Sequence, residues 1–129
     1  MKISTVVRII SPDTDPPKVK WFIIVGSESQ NLATIYINTD PRLTDLSGSL
    51  QALQLPLKKD RCPFLDHDSH ADCADLRERP KSEINQLLQK EPGRKEGEIP
   101  DDVMKDILAL LKKAKTISPE IKKKYGLTF

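Results

Sequence analysis

The segment 63–73 holds the densest set of side chains in this chain that can do chemistry. Both histidines, one of the two cysteines and three aspartates fall within its eleven residues. Carboxylates and imidazoles are costly to bury unless they pair with one another or bind something. An imidazole also changes charge near neutral pH, which suits it to acid or base catalysis. We therefore predict that this segment forms a site or the rim of one.

The same segment permits two other interpretations. If it is a strand, its residues alternate between two faces, with His67 on one face and His70 on the other. The acidic face is then a solvated surface, and His67 is a hydrogen-bonded histidine under a C-terminal helix. Alternatively, Cys62, His67, His70 and Cys73 offer two thiols and two imidazoles, a mixture that zinc accepts. Their spacing matches no familiar zinc finger or ribbon.

The bulk composition indicates one soluble globular domain. A chain of 129 residues has room for one modest core. Twenty-one basic residues against nineteen acidic ones give no global argument for nucleic-acid binding, so any basic surface must be local. The longest apolar run, 21–25, is too short to span a bilayer, and the N-terminus lacks a signal-peptide pattern. We expect a cytoplasmic protein that does not bind a membrane. Its two thiols are expected to be free, although the sequence also permits a disulfide between them.

β-branched and aromatic residues predict three strands near the N-terminus. These cover residues 2–10, 18–26 and 32–39, with a proline-rich loop at 11–17 and a hairpin between the second and third strands. Within 19–25, Lys20 is the one polar residue on its face of the second strand, which predicts a central strand covered on both sides. The segment 50–55 is ambiguous between a helical turn and a strand. A fourth strand is predicted over 64–73, and 75–79 is expected to be extended.

Helix signals are concentrated toward the C-terminus. Pro100 and two acids precede an apolar stripe at helical spacing, and lysines follow it, as the helix dipole favours. A short last helix begins after Ser118 and ends at Gly126. Another short helix is predicted over 82–89, and 91–97 is predicted to be a charged loop.

Strands in a run followed by helices predict an α+β protein. We expect a small, SH3-like, partly open antiparallel β-barrel that a C-terminal helix caps, with a six-strand sandwich as the next option. Residues 1–117 would form the barrel domain with that helix, and residues 118–129 a short helical tail.

Three features, in this order, resemble the MazF/PemK/Kid family of endoribonuclease toxins. The first is the hydrophobic strand at 20–26, which follows the proline-rich loop. The second is 35–39, which is similar to the family's apolar strand that ends in Thr at the active site. The third is 98–108, which looks like the family's last helix. Between the second and the third, 67–69 falls where the family often shows an acidic residue followed by Gln. The resemblance covers most of residues 1–115.

This resemblance implies the toxin of a toxin–antitoxin system, which cleaves single-stranded RNA without a metal or other cofactor. Such cleavage uses the ribose 2′-hydroxyl as nucleophile and needs a base, a donor to the leaving oxygen and positive charge on the phosphate. The implied catalytic residues are Lys20, Thr39, His67 and Asp68, and the implied RNA-binding residues are Arg61, Ser69 and His70. His67 or Asp68 acts as base or acid, and Lys20 neutralises the phosphate. The implied partners are single-stranded RNA, a cognate antitoxin protein and a second copy of the chain in a homodimer.

The chain departs from the family where the chemistry is most demanding. Lys20 stands in place of the family's catalytic arginine, and a point charge lacks the bidentate fork that arginine offers a phosphate. Prolines replace the family's glycine-rich loop before this strand. These departures leave open a catalytically silent SH3-like module that binds a protein or a nucleic acid. An accessory protein of a phage or mobile element is a further alternative.

Overall fold

One antiparallel sheet organises the part of the chain that the structure describes. The structure is a computed structural model, and it describes residues 2–11, 16, 18–38 and 48–128. The strands are β1 (Thr5–Ser11), β2 (Lys18–Ser27), β3 (Asn31–Asn38), β4 (Gln54–Leu57), β5 (Ser69–Pro80) and β6 (Lys95–Glu98). Within these residues the six strands lie side by side in the order β4-β5-β3-β2-β1-β6.

Four helices accompany the sheet in the same part of the chain. They are α1 (Gly48–Gln51), α2 (Lys81–Lys90), α3 (Asp101–Lys113) and α4 (Pro119–Lys124). A single 3₁₀ turn, Pro92–Arg94, connects α2 to β6. Among these helices, none combines the length and the apolar character that crossing a membrane requires.

The sheet curls into an open half-barrel, and this confirms the predicted α+β class and barrel-like fold with a C-terminal helix. β2 lies between β1 and β3, and its residues Phe22, Ile23, Ile24 and Val25 are all buried. Because successive side chains of a strand point to opposite faces, four buried residues in a row require cover on both faces. The prediction that this strand is central and covered on both sides is therefore confirmed.

Helices supply that cover with a separate apolar core on each face. On one face, α3 and the segment around α4 pack against Ile23 and Val25 of β2. On the other face, α2 packs its Ile84 against Phe22 and Ile24. The buried residues of α3 are Met104, Ile107 and Leu111, so the apolar stripe predicted for this helix faces the core.

The two shorter helices also confirm their predictions. α2 extends the helix predicted over 82–89 by one residue at each end. α4 begins after Ser118, whose Oγ accepts a hydrogen bond from the N–H of Ile121 at 3.2 Å, as an N-cap residue does. The chain then leaves the helix through Gly126, which has a φ of +68°.

The strand predicted over 64–73 is wrong in its boundaries. Residues 58–68 are mostly turns and bends, and β5 begins only at Ser69. β5 then runs through the segment 75–79, whose predicted extended conformation is confirmed. His67 is consequently exposed in a bend and is not packed under a C-terminal helix.

The polar side chains of this segment explain why it is not a strand. Oδ1 of Asp68 accepts a hydrogen bond from the backbone N–H of Lys59 at 2.8 Å. Asp and Ser side chains offer the backbone such alternatives to a sheet ladder. Leu65, which is 3% exposed, anchors the turns in the core. We name residues 58–68 the entry loop, because they lead into β5.

The strand β6 was predicted as part of a loop at 91–97. It pairs antiparallel with β1, with Gly97 opposite Val6. Lysine, glutamate and glycine have weak β propensity, so pairing with a distant strand decides this element. The ambiguous segment 50–55 holds both predicted forms, the end of α1 and the beginning of β4. Most of the predicted loop at 11–17 lies outside the described residues.

Candidate functional site

A groove of about 360 Å³ lies at the end of the sheet where β2 begins and β3 ends. The entry loop closes it from the side of β5. We name it the sheet-end groove, and it is lined by Lys18, Val19, Lys20, Trp21, Ile37, Asn38, Leu65, Asp66, His67 and Ser69. Three of the predicted site residues, Lys20, His67 and Ser69, are therefore brought to one place.

The alternation of β2 gives the groove two kinds of wall. Lys20 shares a sheet face with Phe22, which packs under α2, whereas Trp21 shares the opposite face with Ile23. Lys18 and Lys20 therefore bring positive charge from one side, and Val19 and Trp21 bring apolar surface from the other. Val19 is 60% exposed, which is unusual for a valine in a strand and leaves its apolar surface available to a ligand.

The ammonium group of Lys20 is held in a defined position. Its Nζ donates a hydrogen bond to Oδ1 of Asn38 at 3.3 Å, across the β2–β3 pair. The same Nζ lies 5.6 Å from the centroid of the Tyr36 ring, within the range of a cation–π interaction. Tyr36 and Asn38, which occupy alternate positions along β3, thus fix the position of the Lys20 charge, which the sequence predicts to face a phosphate.

Ser69 is a buried residue that lines the groove. It is 2% exposed, and its Oγ donates a hydrogen bond to the carbonyl oxygen of His67 at 3.1 Å. This bond fixes the turn from which the exposed His67 side chain projects. Ser69 therefore positions the backbone of His67, and its buried hydroxyl is already occupied by that bond.

The entry loop is anchored by aromatic packing. The rings of Phe64 and Trp21 stack with centroids 6.4 Å apart and an interplanar angle of 26°. Aromatic pairs at this separation add stability beyond the area that they bury. Because Trp21 belongs to β2 and Phe64 to the entry loop, the stack ties the two sides of the groove together.

Asp68 lies outside the residues that line the groove. Its carboxylate accepts from the N–H of Lys59 and lies 3.7 Å from Nζ of Lys58. The backbone hydrogen bond from Lys59, together with the charge of Lys58, lowers the pKa of Asp68 from its ordinary value. Asp68 is thus an ionised group that shapes the entry loop.

Arg61 also lies apart from the groove. Its guanidinium pairs with the carboxylate of Asp102 at the beginning of α3. The hydrogen bond to Asp102 raises the pKa of Arg61, and the same bond lowers the pKa of Asp102. This pair fastens the entry loop to α3.

His70 follows on β5, where it stands opposite Asn38 of β3 and Pro56 of β4. It is half-buried and does not line the groove. Burial lowers the pKa of His70, and the charge of Lys58 lowers it further. In the described part of the chain, its buried Nδ1 has no hydrogen-bond partner. Thr39, the remaining predicted catalytic residue, lies outside the described residues.

The alternative zinc site finds no geometry that supports it. Cys62 and Cys73 are both buried in the core, whereas His67 is exposed. Among the residues that the structure describes, no group of three or more His, Cys, Asp or Glu side chains is arranged to hold a metal ion. Burial raises the pKa of Cys62, and burial with the charge of Asp72 raises the pKa of Cys73 to about 12.

Sequence reasoning missed the other seven groove residues as site residues. These are Lys18, Val19, Trp21, Ile37, Asn38, Leu65 and Asp66. One signal was present: Lys18, Lys20 and the single tryptophan cluster directly after the proline-rich loop. The contribution of Asn38 depends on its register opposite β2, which the sequence does not encode locally.

No protein-family model matches this chain, and no curated protein sequence matches it significantly. The resemblance to the MazF/PemK/Kid family therefore stays a prediction from the motifs. What the chain does must be argued from the groove.

Proposed function

We propose that this protein is an endoribonuclease toxin that cleaves single-stranded RNA in the sheet-end groove. The observation that carries the proposal is the convergence of Lys20 and His67 on one groove from distant parts of the chain. A fixed cation and an imidazole in the same groove are the groups that phosphodiester cleavage by a 2′-hydroxyl requires.

The two sides of the groove match the two parts of an RNA chain. Lys18 and Lys20 offer charge to phosphates, which supply most of the affinity for nucleic acids. Val19 and Trp21 offer apolar and aromatic surface to unstacked bases. Asp66 is the acidic residue among the described residues that line the groove. Its negative charge disfavours a phosphate beside it, and its carboxylate can accept a hydrogen bond from a base.

The reaction follows from these placements. His67 takes the proton of a ribose 2′-hydroxyl, and the 2′-oxygen attacks the adjacent phosphorus. The new P–O2′ bond replaces the P–O5′ bond, so the products carry a 2′,3′-cyclic phosphate and a 5′-hydroxyl. Lys20 neutralises the phosphate as charge accumulates on its oxygens. The leaving 5′-oxygen takes its proton from water. Water can reach this part of the groove because His67 is exposed.

Three other predicted residues do not contact the phosphate in this proposal and position the residues that do. Asp68 and Arg61 position the entry loop through Lys59 and Asp102, and Ser69 positions His67. A cognate antitoxin would inhibit the enzyme by covering the groove, and the active form would be a homodimer in the cytoplasm.

Incubation of the purified protein with a mixed single-stranded RNA in excess EDTA tests the proposal. We expect discrete fragments that end in a 2′,3′-cyclic phosphate. Lys20→Ala and His67→Ala should abolish them, whereas Lys105→Ala and His70→Ala should retain them. Lys105 is an exposed lysine of α3, and His70 is the other histidine of the chain, so the controls match the variants in residue type. Intact RNA with the wild-type protein, or full cleavage by both groove variants, would contradict the proposal.

A catalytically silent binding module is the second candidate, and one observation favours it. Among the described residues that line the groove there is no arginine, and Lys20 already donates to Asn38. Such a groove can hold an RNA phosphate without stabilising a transition state. On this alternative, RNA stays intact but is retained by the wild-type protein and released by Lys20→Ala.

A further inference from the structure

A second cavity of about 340 Å³ lies between α2 and the end of β1. Its apolar surface comes from Ile9 of β1 and from Ile84 and Leu87 of α2. Its charged rim contains three cations, which are Arg79 at the end of β5, Lys90 in the last turn of α2 and Arg94 in the 3₁₀ turn. We name this cavity the helix pocket.

Two of these cations are fixed by their neighbours. Arg94 donates from Nε to Oε2 of Glu91 at 2.7 Å and from Nη1 to the carbonyl oxygen of Arg8 at 3.4 Å. The guanidinium of Arg79 lies 5.0 Å from the centroid of the Phe22 ring. Side chains that are held in this way lose little further freedom when an anion binds.

The helix pocket and the sheet-end groove are joined through one aromatic ring. Three cations lie over Tyr36, with Lys20 at 5.6 Å, Arg77 at 5.4 Å and Arg79 at 5.6 Å from its centroid. Nη2 of Arg79 also donates to the hydroxyl of Tyr36 at 2.8 Å. Since Lys20 lines the groove and Arg79 lines the pocket, positive charge continues from one cavity to the other.

An apolar link joins the same two cavities. Ile10 lines the helix pocket and Val19 lines the sheet-end groove, and the two are directly opposed in the β1–β2 ladder. They are 59% and 60% exposed. Neighbouring strands lie about 4.8 Å apart, so the two cavities are lined by adjacent residues at this end of the β1–β2 ladder. One ligand can therefore contact both cavities.

We propose that the helix pocket and the sheet-end groove form one track for single-stranded RNA. The scissile phosphate lies at Lys20, a second phosphate binds at the helix pocket, and bases between them pass the end of the sheet, where Ile10 and Val19 are exposed. This inference rests on the proposed function, and it adds that RNA length decides affinity. A single compact anion fills one cavity, whereas a chain with regularly spaced phosphates contacts both.

Carboxylates belong to the same surface and limit how the chain lies on it. Glu83 lines the helix pocket, Asp75 pairs with Arg77 at 3.0 Å, and Glu91 pairs with Arg94. Lys20 and Lys90 lie at the two ends of the track. In the described part of the chain, neither lysine forms an ion pair with a carboxylate. Phosphates are therefore expected to bind most strongly near these two lysines.

Binding of two non-cleavable 2′-O-methyl oligonucleotides, measured by fluorescence anisotropy, tests the track. The shorter one is a dinucleotide with a single phosphate, which can occupy only one of the two phosphate positions, whereas a dodecanucleotide can occupy both. We expect the wild-type protein to bind the dodecanucleotide more tightly. Lys90→Gln should weaken only the dodecanucleotide and reduce the slope of its log affinity against log salt by about 0.7, the value for one phosphate contact of a single strand.

Two further variants separate the track from the groove. Lys20→Gln should weaken both oligonucleotides. Lys113→Gln should weaken neither, because this exposed lysine also lies in the last turn of a helix but on the opposite face of the sheet. Unchanged urea midpoints will show that all three variants are folded.

Each remaining outcome has a distinct meaning. If Lys20→Gln weakens the dinucleotide while Lys90→Gln leaves the dodecanucleotide unchanged, the track is wrong and the groove stands. Equal wild-type affinity for both lengths also overturns the track. If the wild-type protein binds neither oligonucleotide, the proposed function fails and the track fails with it.

Discussion

The ring of Phe64 lies directly against the backbone of Gly97. A Cβ atom added at position 97 would stand 2.6 Å from Cδ1 of Phe64, closer than such atoms approach in proteins. The same ring stacks on Trp21, so it is held between β6 and β2. Phe64 in turn precedes Leu65, Asp66 and His67, and the absence of a side chain at Gly97 therefore determines where the entry loop meets the groove.

Gly97→Ala should therefore affect both stability and activity. The added methyl group must displace Phe64, and overpacking of this kind costs about 1–3 kcal/mol of unfolding free energy. RNA cleavage should fall further than the unfolded fraction explains, because His67 moves with the entry loop. Urea unfolding and cleavage assays measure the two effects. Gly93→Ala is the matched control, since a Cβ there meets nothing within 4 Å and should change stability by less than about 0.5 kcal/mol. Equal stability of the two variants would show that Phe64 yields without cost.

Lys20→Arg should raise the rate of RNA cleavage if the proposed function is correct. A guanidinium offers a phosphate two parallel hydrogen bonds, whereas the ammonium of Lys20 shares its donors with Asn38. We expect an increase of up to about tenfold, which corresponds to about 1.4 kcal/mol of transition-state stabilisation. Lys105→Arg on α3 serves as control and should leave the rate unchanged. A Lys20→Arg variant slower than the wild-type protein would assign the lysine a role other than phosphate binding.

The stability of the C-terminal segment should depend on pH through Glu78. Its carboxylate accepts from Nζ of Lys124 at 2.7 Å and from the hydroxyl of Tyr125 at 2.6 Å. These two hydrogen bonds lower the pKa of Glu78 from its ordinary value. A carboxylate with a lowered pKa stabilises the folded state above its unfolded pKa, about 4.3, and this contribution disappears as the pH falls through the folded value.

Urea unfolding from neutral pH down through the folded pKa of Glu78 measures this contribution. The wild-type free energy of unfolding should fall more steeply than that of Glu78→Gln, in which the titrating group is absent. Tyr125→Phe should lose about 1.5 kcal/mol at neutral pH, the typical value for a hydrogen bond to a charged group. Parallel wild-type and Glu78→Gln curves would mean that the carboxylate does not hold α4 in solution.

Both thiols should be inert in the folded protein. Cys62 and Cys73 are 0% exposed, and burial raises the pKa of Cys73 to about 12. The thiolate is the reactive form, so near pH 8 a disulfide reagent such as Ellman's reagent should titrate no thiol before unfolding and two in urea. Rapid reaction of the native protein would contradict the core position of these residues.

Local patterns accounted for most of the elements that surround the groove. The alternation and burial of β2 follow from the run of apolar residues after Lys20, and the stripe of α3 follows from its helical spacing. β6 escaped prediction because its composition carries no strand signal and its pairing with β1 depends on residues about ninety positions away. The same limit applies to the site: the pairing of β2 with β3 brings Asn38 to Lys20, and no local pattern contains it.

By itself, the sequence determined an α+β chain with a central covered strand, a buried C-terminal helix and a chemically dense segment at 63–73. These features depend on propensity and periodicity, which each stretch of residues carries on its own. Only the tertiary structure decided which members of that segment meet Lys20. His67 and Ser69 reach the groove, whereas Asp68 is bound by Lys59. Arg61, which precedes the segment, is likewise bound by Asp102. That choice rests on turns and ion pairs between distant residues, and their energies exist only once the sheet has brought the partners together.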